Sequence, residues 1–312
     1  MIRLKKDAFA RARRFLQTEA RPLERALYAH HFEEGPAGAV MEALVAFQNA
    51  DGGFGRALEP DVRTPSSSAL ATGIGLRILR ELGRPAGEPM VGRAVAYLRE
   101  SLDAETWTWR VVPADTGAHP HAPWWHDEGG SLAHTFDDFL VIPRAELVGS
   151  LVHYRSLVPA GWLEVLIERT VRDLETIEVL GSGGGDDLVY ALRLAETAAL
   201  PASYRERLLA RLRVEVRRAA SCDPAEWGGY CITPLKVAPL PSSTVADLLG
   251  EPLEVHLDYL VETQVTSGAW DPVWSWGGAY PEAWARARRE WQGCLTLDNL
   301  VALAAFGRIS RR

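Results

Sequence analysis

The chain is poor in cysteine and has no long apolar run. Its 312 residues include three cysteines, Cys222, Cys231 and Cys294, too few and too irregularly spaced for a disulfide framework. We therefore expect a reducing, cytoplasmic location. No run of about 18 apolar residues is present, so no membrane-spanning helix is expected. The first residues are basic but lack the apolar segment of a signal peptide, and none is expected.

Positive charge is also in short supply. The chain has 34 Lys and Arg against 41 Asp and Glu, a formal net charge of −7. No basic run or patch is visible, so the sequence predicts no nucleic-acid partner. A diphosphate would find no convergent set of Lys and Arg, so we expect an apolar ligand without one. Peripheral membrane contact remains compatible with this, because a hydrophobic substrate must be collected from somewhere.

Several catalytic motifs are missing. The chain contains no Gly-x-Ser-x-Gly, and Asp137-Asp138 lacks the third acid of an Asp-Asp-x-x-Asp magnesium motif. The Gly-rich loop 181–185 has neither a preceding strand nor the Lys-Ser/Thr of a phosphate-binding loop. His119 and His121 flank a proline and have no second clustered ligand set, which makes a metal site a weak interpretation. No cofactor or metal is expected.

Apolar residues recur at intervals of three and four, and strand-like alternation is scarce, which predicts an all-α fold. No linker or low-complexity tract divides residues 1–312, so we expect a single domain. A short helix is expected within 239–249. The longer helices are expected near 5–19, 22–31, 36–49, 66–82, 88–102, 143–157, 160–178, 184–198, 203–219, 251–264 and 282–306.

One local pattern occurs twice: Gln, three residues, Gly, one residue, aromatic. It runs from Gln48 to Phe54 and again from Gln264 to Trp270, each time after an amphipathic segment. At a helix end the Gln can bond free carbonyls, the Gly permits a left-handed turn and the aromatic fills the gap behind it. An aromatic recurs at a spacing of about 54 residues, which predicts an array of helical hairpins. The aromatics are Phe54, Trp107, Trp162, Trp227 and Trp270.

These loops resemble the Gln-Trp repeats of squalene–hopene cyclases and the related repeats of protein prenyltransferase β-subunits. The segments QNADGGFGRALEPD, PHAPWW and EWQGCLTLDNL are similar to those of bacterial prenyltransferase/squalene-oxidase repeat proteins. By size, the chain is most similar to the single-domain class II cyclases that close meroterpenoid rings. The resemblance implies an α/α toroid of inner and outer helices, an α6/α6-like barrel, with an apolar central cavity.

Class II cyclases begin with a carboxylic acid that protonates an alkene or epoxide. Their Asp-x-Asp-Asp signature does not occur in this chain. Three other acids lie at expected starts of inner helices, and the resemblance makes Asp61, Asp186 and Asp187 the catalytic candidates, with Asp137-Asp138 behind them. A desolvated site would keep such an acid protonated. Each also suits a plain role as a helix cap or turn residue.

The aromatic and imidazole side chains of the long loops suit a cation path, since each π-face contributes about 0.5–2 kcal/mol. Some must be structural plugs, Trp107 above all. His121 is of interest as a polar neighbour that could hold the proton of the acid. The substrate-binding candidates are His121, Trp124, Trp125, Trp274, Trp276, Tyr280 and Trp291.

The expected function is that of a class II-like terpene cyclase, which cyclises a neutral isoprenoid or prenylated aromatic after protonation. Three alternatives stay open. A toroid could bind an apolar ligand without catalysis. A prenyltransferase would need Zn²⁺ held by Asp, Cys and His, but Cys231 has no His nearby in sequence and Cys294 lies in a predicted core helix. A carbohydrate-active α/α barrel would combine Trp platforms with acids such as Asp127.

Overall fold

The computed structural model describes residues 1–129, 132, 143–181 and 185–310, and this part of the chain is all-α. It has no β-strand, only isolated bridges, and none of its helices is long and apolar enough to cross a membrane. Four short 3₁₀ turns join its twelve α-helices. The helices are α1 Lys6–Thr18, α2 Pro22–Phe32, α3 Ala37–Val45, α4 Ala69–Glu81, α5 Pro89–Ser101, α6 Arg144–His153, α7 Ala160–Thr176, α8 Asp186–Ala195, α9 Ala202–Ala219, α10 Pro234–Val237, α11 Gly250–Glu262 and α12 Pro281–Ala305.

The helix ends follow local signals in the sequence. Ser68 caps α4, since its hydroxyl accepts a hydrogen bond from the Ala71 amide at 3.0 Å. Helices α2, α5 and α12 begin with proline, which has no amide hydrogen to leave unpaired in the first turn. The predicted long helices all form, with ends shifted by a few residues. Helix α10 was not predicted, and the short helix expected within 239–249 is the 3₁₀ turn Ala246–Leu248.

Internal contacts divide the chain into two units. The terminal unit consists of Met1–Leu44 with Ala220–Arg312, and the middle unit is Val45–Ala219. Both chain ends therefore belong to one unit. The single domain expected from the sequence stays a prediction.

In the middle unit, largely buried helices alternate along the chain with helices that bury one face. Every residue of α6 from Arg144 to Val152 is buried, and α4 and α8 are mostly buried. Helix α7 buries only a stripe that includes Leu163, Leu166 and Ile167, the spacing of one helical face. Helix α6 packs against α4, α7 and α8, while α5 lies on α4 and α9 lies on α7 and α8. Helices α4, α6 and α8 therefore form the buried layer of this unit.

In the terminal unit, α12 packs against α1 and α2, and α10 packs against α11. Arg308, which is 1 % exposed, links the two chain ends. Its guanidinium donates to the Ile2 carbonyl at 2.6 Å and pairs with Asp258 and Glu254. Because it is bound by two carboxylates, this buried cation is well compensated.

The first Gln loop, residues 48–54, is held by a specific set of hydrogen bonds. The Gln48 side-chain amide donates to the Gly52 carbonyl at 2.9 Å and to the Met90 carbonyl, in the first turn of α5, at 3.0 Å. The Phe54 amide donates to the Thr72 hydroxyl of α4 at 3.0 Å. Two of these bonds thus fix the loop to α5 and α4, and the third closes the loop itself.

The second Gln loop, residues 264–270, repeats this set in the terminal unit. Gln264 donates to the Gly268 carbonyl at 2.9 Å and to the Ala8 carbonyl, in the first turn of α1, at 3.0 Å. The Trp270 amide donates to the Thr296 hydroxyl of α12 at 3.1 Å. Each Gln thus bonds a carbonyl of its own loop and one in the first turn of another helix, rather than the carbonyls of the helix that it follows, and its contribution to stability stays a prediction.

The aromatic expected to fill the second repeat lies two residues further on than predicted. Trp109 is 5 % exposed, and its indole nitrogen donates to the Leu98 carbonyl at 2.7 Å. Trp270 makes the matching bond to the Leu260 carbonyl at 2.8 Å. Trp107 instead has a positive φ of 59° and lies against Trp162, with ring centroids 6.2 Å apart. The assignment of Trp107 as the plug was wrong, because a turn with a non-glycine residue at positive φ shifts the register.

Trp162 and Trp227, two further aromatics of the predicted repeat, lie in different kinds of position. Trp162 lies within the first turn of α7 and not in a loop. Trp227 is a loop residue, 2 % exposed, whose indole nitrogen donates to the Ser221 carbonyl at 3.0 Å. Its ring packs edge-on against His256 of α11, with centroids 4.6 Å apart. Trp227 therefore fills a core position, as the repeat predicts, while Trp162 does not.

Candidate functional site

Asp61 lies on a loop of the middle unit that is joined to a second loop. The Ala122 amide donates to the Asp61 carbonyl at 2.9 Å, and the Arg63 amide donates to the Pro120 carbonyl at 3.1 Å. Asp61 is 2 % exposed and Glu59 is 7 % exposed, so two carboxylic acids lie buried on this loop. The structure thus brings the first candidate acid next to the segment that carries His121, Trp124 and Trp125.

The pairing between these loops decides which residues face one another. Val62 stands directly opposite His121 in an antiparallel bridge. Asp61 itself lies in the turn that the Val62 amide closes by donating to the Glu59 carbonyl at 3.2 Å. The expectation that His121 holds the proton of an acid stays a prediction.

The buried imidazole of His121, 2 % exposed, has other partners. Its Nδ1 lies 2.7 Å from the His119 carbonyl, which can only accept, so Nδ1 carries a hydrogen. Its Nε2 lies 3.1 Å from Nδ1 of His126, whose ring is exposed. The two rings therefore link the interior of this loop cluster to the surface.

The two tryptophans predicted to bind substrate here differ in exposure. The 3₁₀ turn Pro123–Trp125 holds both. Trp125 is 9 % exposed, whereas Trp124 is 40 % exposed. Trp125 is therefore buried on the segment that is joined to the Asp61 loop, whereas Trp124 is exposed.

Asp187 is wholly buried at the start of α8, where it binds backbone. Its carboxylate accepts hydrogen bonds from the Gly181 amide at 3.0 Å and from the Leu188 amide at 2.7 Å. Burial raises the pKa of the Asp187 carboxyl, although these amide donors act to lower it. Both carboxylate oxygens are engaged, which suits a residue that holds the loop before α8. Asp186 beside it is half-buried, and Asp137-Asp138 lie outside the described residues.

The other four predicted binding residues belong to the terminal unit. Trp274 and Trp291 pack edge to face with centroids 5.1 Å apart, and Tyr230 packs against Trp274 at 6.1 Å. Tyr230 is 55 % exposed and was not predicted, because its contact with Trp274 joins two loops that are far apart in sequence. Trp276 is fully buried, while Tyr280 is 44 % exposed and precedes α12. Trp276 is thus a core residue of the terminal unit, and Trp274, Trp291 and Tyr230 form an aromatic cluster.

The sequence indicated that Cys294 is an apolar core residue. In the structure it is instead part of a polar cluster. Its sulfur lies 3.2 Å from the Arg21 guanidinium and 3.5 Å from the Glu24 carboxylate. Burial, followed by the charge of Glu24, raises the pKa of the Cys294 thiol. The thiol therefore stays protonated and is a poor nucleophile or metal ligand. Within the described ranges, no three His, Cys, Asp or Glu side chains are grouped as metal ligands.

A set of charged residues that the sequence did not reveal lies on the buried layer of the middle unit. Arg77 and Arg80 of α4 and Arg193 of α8 converge on Glu146 of α6. The expectation of no convergent cations was therefore wrong, because these residues are far apart in sequence and meet only when three helices pack. A weak signal was available, since arginines at positions 77 and 80 interrupt an otherwise small and apolar helix.

A small cleft of about 110 Å³ also opens in the middle unit, between the start of α4 and the end of α5. Sites for small organic ligands usually measure about 300–1,000 Å³, so this cleft is too small for an isoprenoid. None of the predicted site residues lines it. Its walls include Ser67, Tyr97, Ser101, Trp109 and Arg110.

No protein-family model matches this chain, and no curated protein matches it significantly. The resemblance of the repeat motifs to those of terpene cyclases and prenyltransferases therefore stays a prediction from the sequence.

Proposed function

We propose that the chain folds as an α/α toroid. The Gln loops support this, because Gln48 bonds to α5, the helix that follows its hairpin, whereas Gln264 bonds to α1. Helix α1 therefore receives from the second Gln loop the contact that α5 receives from the first. This repeated contact is what a regular array of helical hairpins provides, and it supports the proposed toroid.

We further propose that the protein is a class II-like terpene cyclase with Asp61 as its acid. The observation that carries this is the burial of Asp61, 2 % exposed, on a loop joined to the segment that holds Trp125. Burial disfavours the charged form of a carboxyl, which is the condition that a proton donor needs. The substrate class is a neutral isoprenoid or prenylated aromatic, a hydrophobic small molecule.

The reaction needs a proton donor and a surface that tolerates cations. The Asp61 hydroxyl would give its proton to a terminal alkene carbon, leaving a tertiary cation that the next double bond attacks. Indole rings such as that of Trp125 stabilise such cations through their π-faces. Loss of a proton from the last cation gives a cyclic isomer of the substrate and restores the proton count.

The test compares Asp61→Asn with Asp115→Asn. Asp115 is a matched control, because its side chain is 47 % exposed and belongs to a neighbouring loop of the same unit. Purified proteins are incubated with farnesol, geranylgeraniol and a prenylated phenol, in H₂O and in D₂O, and products are identified by mass spectrometry. We expect wild type and Asp115→Asn to form a cyclic isomer that gains one deuterium in D₂O. Asp61→Asn should be slower by about 100-fold or more.

Equal turnover by Asp61→Asn and wild type would overturn the assignment of the acid. Its melting temperature should stay within a few degrees of wild type, which separates loss of chemistry from loss of fold.

A second candidate is a toroid that binds an apolar ligand without catalysis. The observation that favours it is the aromatic cluster of Trp274, Trp291 and Tyr230, whose Tyr230 ring is 55 % exposed. In this case quenching of tryptophan fluorescence by farnesol would be equal in wild type and Asp61→Asn, and neither would form product.

A further inference from the structure

Three arginines share one buried carboxylate in the middle unit. Arg193 Nη1 lies 2.8 Å from Glu146 Oε2, and Arg77 Nη1 lies 4.0 Å from the same oxygen. The Glu146 side chain is 4 % exposed. Its other oxygen, Oε1, has no hydrogen-bond donor among the described residues. Arg77 of α4 and Arg193 of α8 therefore share one carboxylate oxygen of Glu146.

Arg80 adds a third positive charge to this group. Its guanidinium makes long contacts to the hydroxyls of Ser150 and Thr197, at 3.4 and 3.5 Å. Burial lowers the pKa of Arg80, and the nearby charge of Arg193 lowers it further, while Glu146 opposes both. Two neutral hydroxyls at such distances compensate a half-buried cation poorly.

The ion pairs of this cluster leave Arg80 without a carboxylate partner. Burial acts to raise the pKa of Glu146, but Arg193, Arg77 and Arg80 outweigh it and lower that pKa, so Glu146 is ionised. Glu81, which is 55 % exposed, lies 3.9 Å from Arg77, and the charge of Asp186 acts on Tyr190, next to Arg193. Among the described residues, Arg80 is thus the guanidinium of the three that has no carboxylate within ion-pair distance.

A ligand can reach the cluster. The side chains of Arg77 and Arg193 are 29 % and 36 % exposed, so neither is sealed from solvent. The Arg193 guanidinium lies over the Tyr190 ring at 5.6 Å, which restricts its orientation. Burial, followed by the charge of Asp186, raises the pKa of Tyr190, so its hydroxyl stays a hydrogen-bond donor.

We propose that Arg77, Arg80 and Arg193 form a binding site for the oxyanion group of a small-molecule ligand, a carboxylate or a phosphate. Guanidinium groups match the geometry of these anions and can bind them through two parallel N–H bonds. Glu146 positions Arg193 and Arg77 and limits the net charge when the site is empty of ligand. The site goes beyond the proposed cyclisation, because it does not involve Asp61.

Binding is measured by isothermal titration calorimetry with inorganic phosphate, pyrophosphate and benzoate, at constant ionic strength set with sodium chloride. We expect wild type to bind at least one of them. Stronger binding of phosphate or pyrophosphate identifies a phosphorylated ligand, and stronger binding of benzoate identifies a carboxylate. Arg77→Gln and Arg193→Gln should each weaken binding about tenfold or more, the effect of losing a charge-assisted hydrogen bond.

Arg207→Gln is the matched control. Arg207 lies on α9 of the same unit and pairs with Glu168 and Glu175, so it removes one surface arginine without touching the cluster. It should bind the anion as wild type does, and so should Asp61→Asn, which separates this site from the proposed acid. Arg193→Gln deprives buried Glu146 of its closest partner and can unfold the protein, so Arg77→Gln, whose contact is longer, keeps the test decisive.

Glu146→Gln supplies a result that a purely structural cluster would not give. Removal of the competing carboxylate should tighten anion binding, although the protein becomes less stable. Failure of wild type to bind any of the three anions, or unchanged binding by Arg77→Gln and Arg193→Gln, would overturn the proposal.

Discussion

The rings of His121 and His126 stack with centroids 5.4 Å apart and planes within 3°, and they share a hydrogen bond of 3.1 Å. One ring is buried and the other exposed. The His119 carbonyl, 2.7 Å from Nδ1 of His121, fixes the hydrogen on that nitrogen. When both rings are neutral, Nε2 of His121 must then accept, and Nδ1 of His126 must donate.

This relationship predicts the tautomers of both histidines. In ¹⁵N-labelled protein at pH 8, long-range ¹H–¹⁵N spectra should show Nδ1–H for His121 and for His126. The variant His126→Ala assigns the signals and should leave the His121 tautomer unchanged, because its carbonyl partner remains. An Nε2–H tautomer of His121 would contradict the hydrogen bond to His119.

A second prediction concerns stability in acid. His256 is 4 % exposed, packed between Trp227 and Tyr259, and its Nδ1 has no hydrogen-bond partner among the described residues. Burial lowers the pKa of His256 to about 4. The unfolded chain takes up this proton near pH 6.5 and the folded chain does not, so stability falls as pH drops through that range.

Between pH 7.5 and pH 4.5 this histidine alone should cost about 2–3 kcal/mol of unfolding free energy. The variant His256→Phe keeps an aromatic ring and should lose that part of the pH dependence. Urea denaturation at both pH values measures it. Equal losses of stability in wild type and His256→Phe would show that His256 is not buried in its neutral form.

A third prediction concerns Asp187, whose contribution to stability falls as pH rises rather than as pH drops. Because burial raises its folded pKa above the unfolded value, the stabilising contribution of its neutral form is complete below about pH 3.8. That contribution is lost as pH rises through the folded pKa. Relative to Asp187→Asn, wild type should therefore become less stable as pH rises from 3 to 7, by about 1.4 kcal/mol for each unit of the shift. Urea denaturation across this range checks it, and a constant difference between the two proteins would contradict it.

Features carried by neighbouring residues could be predicted from the sequence, and features assembled from distant ones could not. The Gln loops were found because Gln48 and Gly52 lie in one short segment, and the helices because their apolar periodicity is local. The cluster around Glu146 was not predicted, because its arginines lie on helices that are separated by long stretches of chain. Trp107 was chosen over Trp109 because a positive φ at one residue cannot be read from spacing. Helix packing and turn conformation therefore decide what periodicity leaves open.

The last prediction concerns the glycines of the two Gln loops. Gly52 and Gly268 have φ values of 91° and 93°, a conformation that strains any residue with a Cβ. A Cβ on Gly52 would lie 2.5 Å from the Arg93 carbonyl oxygen, and one on Gly268 would lie 2.3 Å from the Arg11 carbonyl carbon. Backbone atoms cannot move aside cheaply, so Gly52→Ala and Gly268→Ala should each cost about 2–4 kcal/mol.

Gly92→Ala makes the same chemical change in α5, where no atom lies within 4 Å of the new Cβ. It should stabilise the protein by up to about 1 kcal/mol, because alanine loses less backbone entropy in a helix. Urea denaturation of the three variants at pH 7 measures the differences. If both loop variants were as stable as Gly92→Ala, the close approach of Gly52 to Arg93 of α5 and of Gly268 to Arg11 of α1 would be wrong. The proposed toroid would then lose the support that it draws from the contact shared by the two Gln loops.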